Sequence, residues 1–265
     1  MIQWGTMSRA AREAAYDNRN SVPDSMARMA ALDAAAGSLR AAAAATMDQP
    51  YGPHPRNKTD FYPGQPGAPC FVFIHGGYWQ RNGREGVAPL LDGLRAHGWS
   101  AAAPGYTLAP DASLTEITAE IGAALDWIGT HATGPLVLSG WSAGGHLTAM
   151  ALGHPRVHAG LAISGVFELG PLRETSLNDA LRLTDEEIER LSPLRLPAGP
   201  KPLAIAYGTA ELPPFVADAR ALHAHRAAAH CPGPLIPVAG AHHFTVVDSL
   251  RQPAGLLTRA ALALV

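Results

Sequence analysis

The fold is decided by the stretch Leu136-Val137-Leu138-Ser139-Gly140-Trp141-Ser142-Ala143-Gly144-Gly145-His146. A short apolar run leads directly into Gly-Trp-Ser-Ala-Gly, and a segment compatible with a helix follows from His146 to Leu152. A G-x-S-x-G sequence can be an ordinary turn, but between a strand and a helix it is typical of a sharp elbow that exposes its serine. Glycines at 140 and 144 suit so tight a turn, because a Cβ there would collide with neighbouring elements. We therefore predict Ser142 as a nucleophile at a helix N-terminus, which favours developing negative charge.

Composition and charge indicate an ordinary globular protein and argue against several classes of partner. The chain has 265 residues, of which 47% are hydrophobic and 16% charged, with a formal net charge of −2. This balance offers no basic surface for nucleic acid and no polybasic patch for a membrane. The N-terminus lacks a signal-peptide pattern, and no apolar run approaches the ~20 residues of a membrane span. We expect a cytoplasmic protein with a small-molecule substrate and no nucleic-acid or membrane partner; the oligomeric state stays open, with a homodimer as one option.

The cysteines and histidines do not form a metal-binding pattern. Cys70 and Cys231 have no CxxC spacing, so we infer neither a disulfide nor a metal site. The sequence contains no HExxH motif, and the side chains of His223 and His225 would diverge on a helix. We expect neither a metal nor a cofactor.

Strand-like and helix-like segments alternate along the chain and predict an α/β fold. Such alternation implies βα units, a mostly parallel central sheet and helices on both faces. We expect a single domain over residues 1–265, with an N-terminal helical segment at about 8–45 and a small cap-like insertion at about 166–197. Predicted strands are 59–63 (an edge strand), 70–74, 99–103, 135–139, 157–165, 202–208 and 234–238 (weak or edge), and predicted helices include 84–97, 111–130 with Asp111 as N-cap, 213–229 and 245–264.

Reactive residues follow other predicted strands, and working groups of such sheets gather at the carboxyl ends of the strands. His75-Gly76-Gly77-Tyr78-Trp79 comes directly after the strand 70–74. Its glycines let the backbone approach a substrate and direct N–H groups at it. We predict an oxyanion hole from Gly76, Gly77, Tyr78 and Ala143, each donor contributing roughly 3 kcal/mol to the transition state. The alternative is a plain Gly-Gly turn.

An acid and a base follow the strands 202–208 and 234–238. Glu211 follows the first of these strands, and the pair His242-His243 follows the second. A serine needs such a base to take its proton, and the acid orients the imidazole and stabilises its charged form. We favour His243 with His242 as its rival, and Glu211 over Asp218, which lies within a helix, and Asp248, which follows His243.

Several longer motifs carry a resemblance to a known family. They include Tyr16-x-Asn18-Arg19, His75-Gly76-Gly77-Tyr78-Trp79-Gln80, Gly140-x-Ser142-Ala143-Gly144-x-His146-Leu147, Asn178-Asp179-Ala180-Leu181 and His243-Phe244. The chain resembles the arylformamidase (kynurenine formamidase) group of α/β-hydrolases, within the wider HGG-containing esterases and lipases. The resemblance implies an α/β-hydrolase fold, a Ser-acid-His triad and cleavage of aryl formamides such as N-formylkynurenine.

The sequence also departs from that family. Glu211 stands where these enzymes carry Asp, and Trp141 replaces the more usual His before the nucleophile. A glutamate can still orient a histidine. Candidate substrate-binding residues within these stretches are Tyr16, Trp79, Trp141 and Asn178.

Three functions are compatible with these residues. The first is hydrolysis of aryl formamides by a Ser142–Glu211–His243 triad, and the second is a carboxylesterase for small acyl esters with the same groups. The third is an inactive hydrolase that serves as a binding module, which a missing triad member would favour. We also expect residues 16–23 to pack near the active site.

Overall fold

The chain folds around an eight-stranded sheet, seen in a computed structural model that describes residues 2, 4–42 and 46–265. The strands, numbered along the chain, are β1 Gln49–Pro50, β2 Lys58–Tyr62, β3 Cys70–Ile74, β4 Ser100–Pro104, β5 Leu136–Trp141, β6 Val157–Ile163, β7 Leu203–Gly208 and β8 Leu235–Val238. Their order across the sheet is β1-β2-β4-β3-β5-β6-β7-β8. The six strands β3–β8 are mutually parallel, while β1 and β2 pair antiparallel. The predicted α/β fold with a mostly parallel sheet is confirmed.

Helices cover both faces of this sheet. They are α1 Arg9–Tyr16, α2 Asn18–Ser21, α3 Ser25–Ala42, α4 Asp92–Arg95, α5 Leu114–His131, α6 Ala143–Ala151, α7 Leu177–Leu181, α8 Asp185–Leu191, α9 Pro213–Ala228 and α10 Leu256–Leu262. Side chains alternate along β3, so Val72 and Ile74 enter one apolar core with α5, α6 and α9. Phe71 and Phe73 enter the opposite core with α3, α4 and α10. Because both faces are covered, the central strands read as continuous apolar runs.

Some element boundaries differ from the prediction. β2 is not the edge strand, because the two-residue β1 pairs outside it. Asp111 does not cap α5; Ser113 does, in a capping box with Glu116. The prediction of one helix over 84–97 is wrong: the segment contains two 3-10 turns and the short α4, and Pro89 lies in the second turn. The predicted final helix over 245–264 is divided into a 3-10 turn, Asp248–Arg251, and α10.

The N-terminal segment is helical and attached to the sheet. The short α2 lies between α1 and α3, and residues 43–45 of the predicted helical segment lie outside the described residues. Arg40 of α3 bonds both carboxylate oxygens of the buried Asp60 on β2, at 2.6 and 3.1 Å. Arg84 reaches the same carboxylate at 3.3 Å. These ion pairs hold α3 against the antiparallel end of the sheet.

Residues 166–197, which we predicted as a cap-like insertion, lie between β6 and β7 and contain α7 and α8. Thr184 caps α8, and Glu187 extends from α8 to bond the backbone N–H and hydroxyl of Thr115 at 3.1 and 2.9 Å. At its other end, the backbone N–H and hydroxyl of Ser176 bond Glu13 of α1, at 2.6 and 2.9 Å. The insertion therefore joins α5 to the N-terminal helices.

Candidate active site

The elbow after β5 holds Ser142 in a conformation that non-glycine residues rarely adopt. Ser142 has φ +59° and ψ −119°, and α6 begins at the next residue. Its N–H donates to Ile163 O on β6 at 2.9 Å, which fixes the turn against the sheet. A Cβ on Gly144 would collide with the carbonyl oxygen of Ile74, so that position requires glycine. Strain of this kind persists where the surrounding structure holds it and is concentrated at functional sites.

Glu211 and His243 form a buried acid–imidazole pair. Glu211 Oε2 lies 3.1 Å from His243 Nδ1, and the glutamate side chain has no exposed area. The other carboxylate oxygen accepts hydrogen bonds from Gly208 N at 3.0 Å and from the Ser164 hydroxyl. An ionised carboxylate only accepts, so Nδ1 carries the proton and Nε2 is left as the basic nitrogen.

Aromatic rings fix the position of His243. Its ring lies 4.6 Å from the ring of Phe215 and 5.2 Å from that of Trp141, the residue before the elbow serine. Within the described residues, Ser142 Oγ and His243 make no hydrogen bond with each other. Catalytic hydrogen bonds are often long in unliganded enzymes and shorten when substrate binds.

The loop His75–Trp79 runs beside the elbow. A Cβ built on Gly76 would lie 2.7 Å from Trp141 O and 3.0 Å from Ser142 Cβ, so only glycine permits this approach. The next three residues all have positive φ, at +116° for Gly77, +52° for Tyr78 and +57° for Trp79.

The carbonyl groups of this loop determine where its N–H groups point. Gly76 O accepts from Asn82 Nδ2 at 3.3 Å, and Gly77 O accepts from the N–H groups of Gln80 and Arg81 at 3.0 and 3.1 Å. A trans peptide directs its N–H opposite its C=O. The N–H groups of Gly77 and Tyr78 therefore point away from residues 80–82, and neither has an acceptor within the described part of the chain. Together with Ala143 N at the start of α6, they are available to an oxyanion.

Two other histidines near the loop are buried and neutral. His75 stacks on Tyr106 with ring centroids 4.2 Å apart, and burial lowers its pKa to about 3. His146 Nε2 lies 2.7 Å from Leu191 O, and burial lowers its pKa to about 4. Both rings pack against neighbouring groups of the site.

Cavities open on two sides of His243. One, of about 60 Å³, is lined by residues that include Asn18, Met29, Gly77, Tyr78, Trp141 and His243. The other, of about 360 Å³, is lined by residues that include Ser21, Pro23, Glu211, His242 and His243. As expected, residues 16–23 lie against the site, because α2 and the turn after it contribute walls to both cavities.

Arg19 and Arg81 line the smaller cavity and also an adjoining one beside Tyr16. Neither guanidinium forms a salt bridge with a carboxylate of the described residues. Burial and the neighbouring Arg19 lower the pKa of Arg81. The mouth of the site is therefore a place where an anion would be stabilised.

No group of three or more His, Cys, Asp or Glu residues among those described is arranged to hold a metal ion. None of the described helices is both long and apolar enough to cross a membrane.

Comparison with known proteins agrees with this geometry. The BD-FAE family model matches residues 61–158, which include β3, the loop after it and the elbow. The kynurenine formamidase of Danio rerio is 26% identical over 292 residues, covering 100% of this chain and 99% of that protein. A solved structure from Silicibacter sp. TM1040, provisionally assigned as a thioesterase, superposes with a TM-score of 0.85 at 29% identity, covering 94% of this chain and 98% of that one.

The chain is an arylformamidase-like α/β-hydrolase. It is an enzyme of the hydrolase class. Esterase B from Lactobacillus rhamnosis has the same fold, with a TM-score of 0.67 over 92% of this chain and 96% of that one, at 19% identity.

In this hydrolase, two of the predicted catalytic side chains, Glu211 and His243, contact each other, and the rival groups do not join them. His243 and not His242 contacts Glu211; His242 Nδ1 instead accepts from Phe244 N at 3.2 Å. Asp218 lies on α9 and accepts hydrogen bonds from the N–H groups of Phe167 and Glu168, at 2.7 and 3.1 Å. It fixes the start of the insertion.

The four predicted substrate-binding residues differ in their placement. Trp141 lines the smaller cavity, and Tyr16 lines the adjoining one. Trp79 has no exposed area and packs edge-on against His146 at 5.0 Å, so a direct contact with substrate is contradicted. The side chain of Asn178 bonds Arg173 O and Leu183 N at 3.2 and 2.8 Å, so it stabilises the insertion instead of facing either cavity beside His243.

The sequence analysis missed two residues of the site. Ser164 donates to Glu211, and Asn18 lines the cavity beside His243. Ser164 had a detectable signal, because it lies at the carboxyl end of a predicted strand. Asn18 appeared only within the family motif, since its contacts with the loop after β3 are far away in the sequence.

Proposed function

We propose that this enzyme is a serine hydrolase that cleaves aryl formamides such as N-formylkynurenine to formate and the free amine. The observation that carries the proposal is the buried Glu211–His243 hydrogen bond at 3.1 Å beside the strained Ser142 elbow. Acid, base and nucleophile in this arrangement are what acyl transfer requires.

The reaction proceeds in two steps. His243 Nε2 takes the Ser142 proton as Oγ attacks the formyl carbon, and the N–H groups of Gly77, Tyr78 and Ala143 stabilise the oxyanion. The C–N bond then breaks with its electron pair on nitrogen, which receives the proton from His243. Water activated by His243 next attacks the formyl-serine and releases formate. Glu211 holds the imidazole tautomer and stabilises its charged form in both steps.

The smaller cavity supports an aromatic substrate that carries a negative charge. The rings of Tyr78, Trp141 and Phe244 line it, and they suit an aryl group. Arg19 and Arg81 at its mouth have no carboxylate partner among the described residues and would bind the carboxylate of N-formylkynurenine.

A carboxylesterase acting on small acyl esters is the second candidate. Its support is the 29% identical structure provisionally assigned as a thioesterase, a name that implies a thioester, which like an ester has a leaving group without an N–H. Both functions use the same nucleophile and base and differ only in the leaving group.

Steady-state kinetics with N-formylkynurenine and 4-nitrophenyl acetate test the proposal and separate these candidates. We expect a higher kcat/KM for the formamide than for the ester, and labelling of wild type by a fluorophosphonate. Ser142→Ala should abolish both the turnover and the labelling. An absence of formate release with intact ester cleavage favours the carboxylesterase. An unlabelled wild type with no turnover of either substrate contradicts both and favours a binding module.

Location and assembly are also proposals. We propose a cytoplasmic enzyme whose partner is its small-molecule substrate. A homodimer stays a prediction, and light scattering after size exclusion distinguishes a mass near 27.7 kDa from twice that value.

A further inference from the structure

A chain of three hydrogen-bonding groups determines the orientation of the Asn18 amide. The Tyr78 hydroxyl donates to Tyr16 O at 2.7 Å, and Asn18 Nδ2 lies 3.3 Å from the same hydroxyl oxygen. A carbonyl oxygen can only accept, so the single phenolic proton points to Tyr16. The Tyr78 oxygen must then accept from Asn18. The amide nitrogen therefore faces Tyr78, and Oδ1 faces elsewhere.

That oxygen is buried and has no partner in the described part of the chain. The Asn18 residue is only 5% exposed, and its Oδ1 accepts no hydrogen bond. A buried acceptor without a donor costs free energy, so such atoms in native structures are exceptions that require an explanation. Asn18 lines the same cavity as Gly77, Tyr78 and His243, which places this residue in the wall of the site proposed above.

The proposed reaction brings a donor into this cavity. With the substrate carbonyl oxygen at the N–H groups of Gly77, Tyr78 and Ala143, the leaving nitrogen must lie within reach of His243 Nε2 to receive its proton. A secondary formamide carries one N–H at that nitrogen. The leaving oxygen of an ester carries no hydrogen.

We propose that Asn18 Oδ1 accepts a hydrogen bond from the N–H of the scissile formamide and makes the enzyme selective for formamides over the corresponding esters. This inference rests on the proposed function. In the ground state the nitrogen lone pair is conjugated with the carbonyl. As the tetrahedral intermediate collapses, that lone pair must face His243 to take the proton before the C–N bond breaks. An acceptor that holds the N–H on the side away from His243 favours this geometry and strengthens as the nitrogen gains positive charge.

Two substrates that differ only in the leaving atom test the inference. Formanilide and phenyl formate share the formyl group and the phenyl ring, but only formanilide has an N–H. For Asn18→Ala we expect kcat/KM for formanilide to fall about tenfold or more, the effect of one hydrogen bond. We expect kcat/KM for phenyl formate, corrected for spontaneous hydrolysis, to stay within about twofold of wild type.

Two further variants separate this role from a structural one. Tyr78→Phe removes the hydroxyl that contacts both Asn18 and Tyr16. Loosening of the loop should lower kcat/KM for both substrates, and loss of the anchor of Asn18 should lower the value for formanilide further. Asn20 is an exposed asparagine in the same short helix as Asn18, and it bonds the N-cap Asp17. Asn20→Ala should change kcat/KM for neither substrate.

The outcomes are distinguishable from failure of the proposed function. An equal fall for both substrates in Asn18→Ala overturns the inference and leaves the formamidase proposal intact. A wild type that cleaves phenyl formate but no formamide overturns the inference together with the formamidase proposal. A fall confined to formanilide supports both.

Discussion

In the proposed triad, Glu211 takes the place of the aspartate that similar enzymes carry. Both of its oxygens are occupied: one contacts His243, and the other accepts from Gly208 N and the Ser164 hydroxyl. The two donors hold the carboxylate in place, with its second oxygen at the His243 imidazole. The position of the Glu211 carboxylate therefore depends on the hydrogen bonds from Gly208 and Ser164 as well as on the length of its own side chain.

Exchange of this acid measures its role. Glu211→Gln presents an amide N–H to Nδ1 and favours the wrong imidazole tautomer, so we expect kcat to fall about 10⁴-fold, as such exchanges do in serine hydrolases. Glu211→Asp keeps the charge but has a shorter side chain, so its kcat should lie between those of Glu211→Gln and wild type. Turnover of 4-nitrophenyl acetate measures this, with circular dichroism to verify folding. A Gln variant within tenfold of wild type would show that Glu211 is not the acid.

His146 predicts a stability effect in acid. Its pKa is depressed to about 4 in the folded state, against 6.5 for an unburied imidazole. The unfolded chain therefore binds a proton first as the pH falls, and stability present above pH 6.5 is lost towards pH 4, by about 3 kcal/mol at 1.36 kcal/mol per pKa unit.

Urea unfolding of wild type and His146→Gln at several pH values tests this. The glutamine keeps a donor for Leu191 O but does not titrate. The free energy of unfolding of the variant should therefore fall less than that of wild type as the pH falls from 6.5 to 4. The exposed His97, replaced by Gln, is the control. Parallel curves for wild type and His146→Gln would contradict the prediction.

At the scale of elements, the sequence predicted the parallel strands well and the antiparallel end poorly. Strands β3 and β5 are continuous apolar runs, which only burial on both faces explains. The edge position of β1 depends on pairing between Gln49–Pro50 and residues beyond a turn, and two residues carry no periodic pattern. In the same way, Asn18 reaches the site only through its contact with Tyr78, 60 positions away in the sequence.

The α3 helix owes its attachment to ions as much as to apolar packing. Arg40→Ala leaves the buried Asp60, 1% exposed, with Arg84 as its remaining cation. We expect the free energy of unfolding to fall by about 2–4 kcal/mol, because one partner of a buried pair is removed. Arg28→Ala, which breaks an exposed pair with Asp24 on the same helix, should cost less than about 0.5 kcal/mol. Equal urea midpoints for the two variants would contradict the prediction.

On the scale of the whole molecule, the first 25 residues belong to the site more than to the sheet. Tyr16, Asn18 and Arg19 line cavities beside the loop after β3, while the sheet begins at β1. Deletion of residues 1–25 should preserve the far-ultraviolet spectrum of the sheet. We expect kcat/KM to fall at least about 100-fold, since loss of positioning groups typically costs that much. Undiminished turnover by the shortened chain would contradict this placement.

The order of the site residues along the chain also determines when, during synthesis, the proposed active site can be complete. Ser142 and the loop after β3 are synthesised well before Glu211 and His243. At roughly 5–20 residues per second, a nascent chain carries its serine without a base for about 5–20 s. During that interval the hydroxyl is no more reactive than that of any other serine. On the proposed mechanism, full activity therefore begins only when the last quarter of the polypeptide has emerged and folded, and a product that ends before His243 lacks the proposed base.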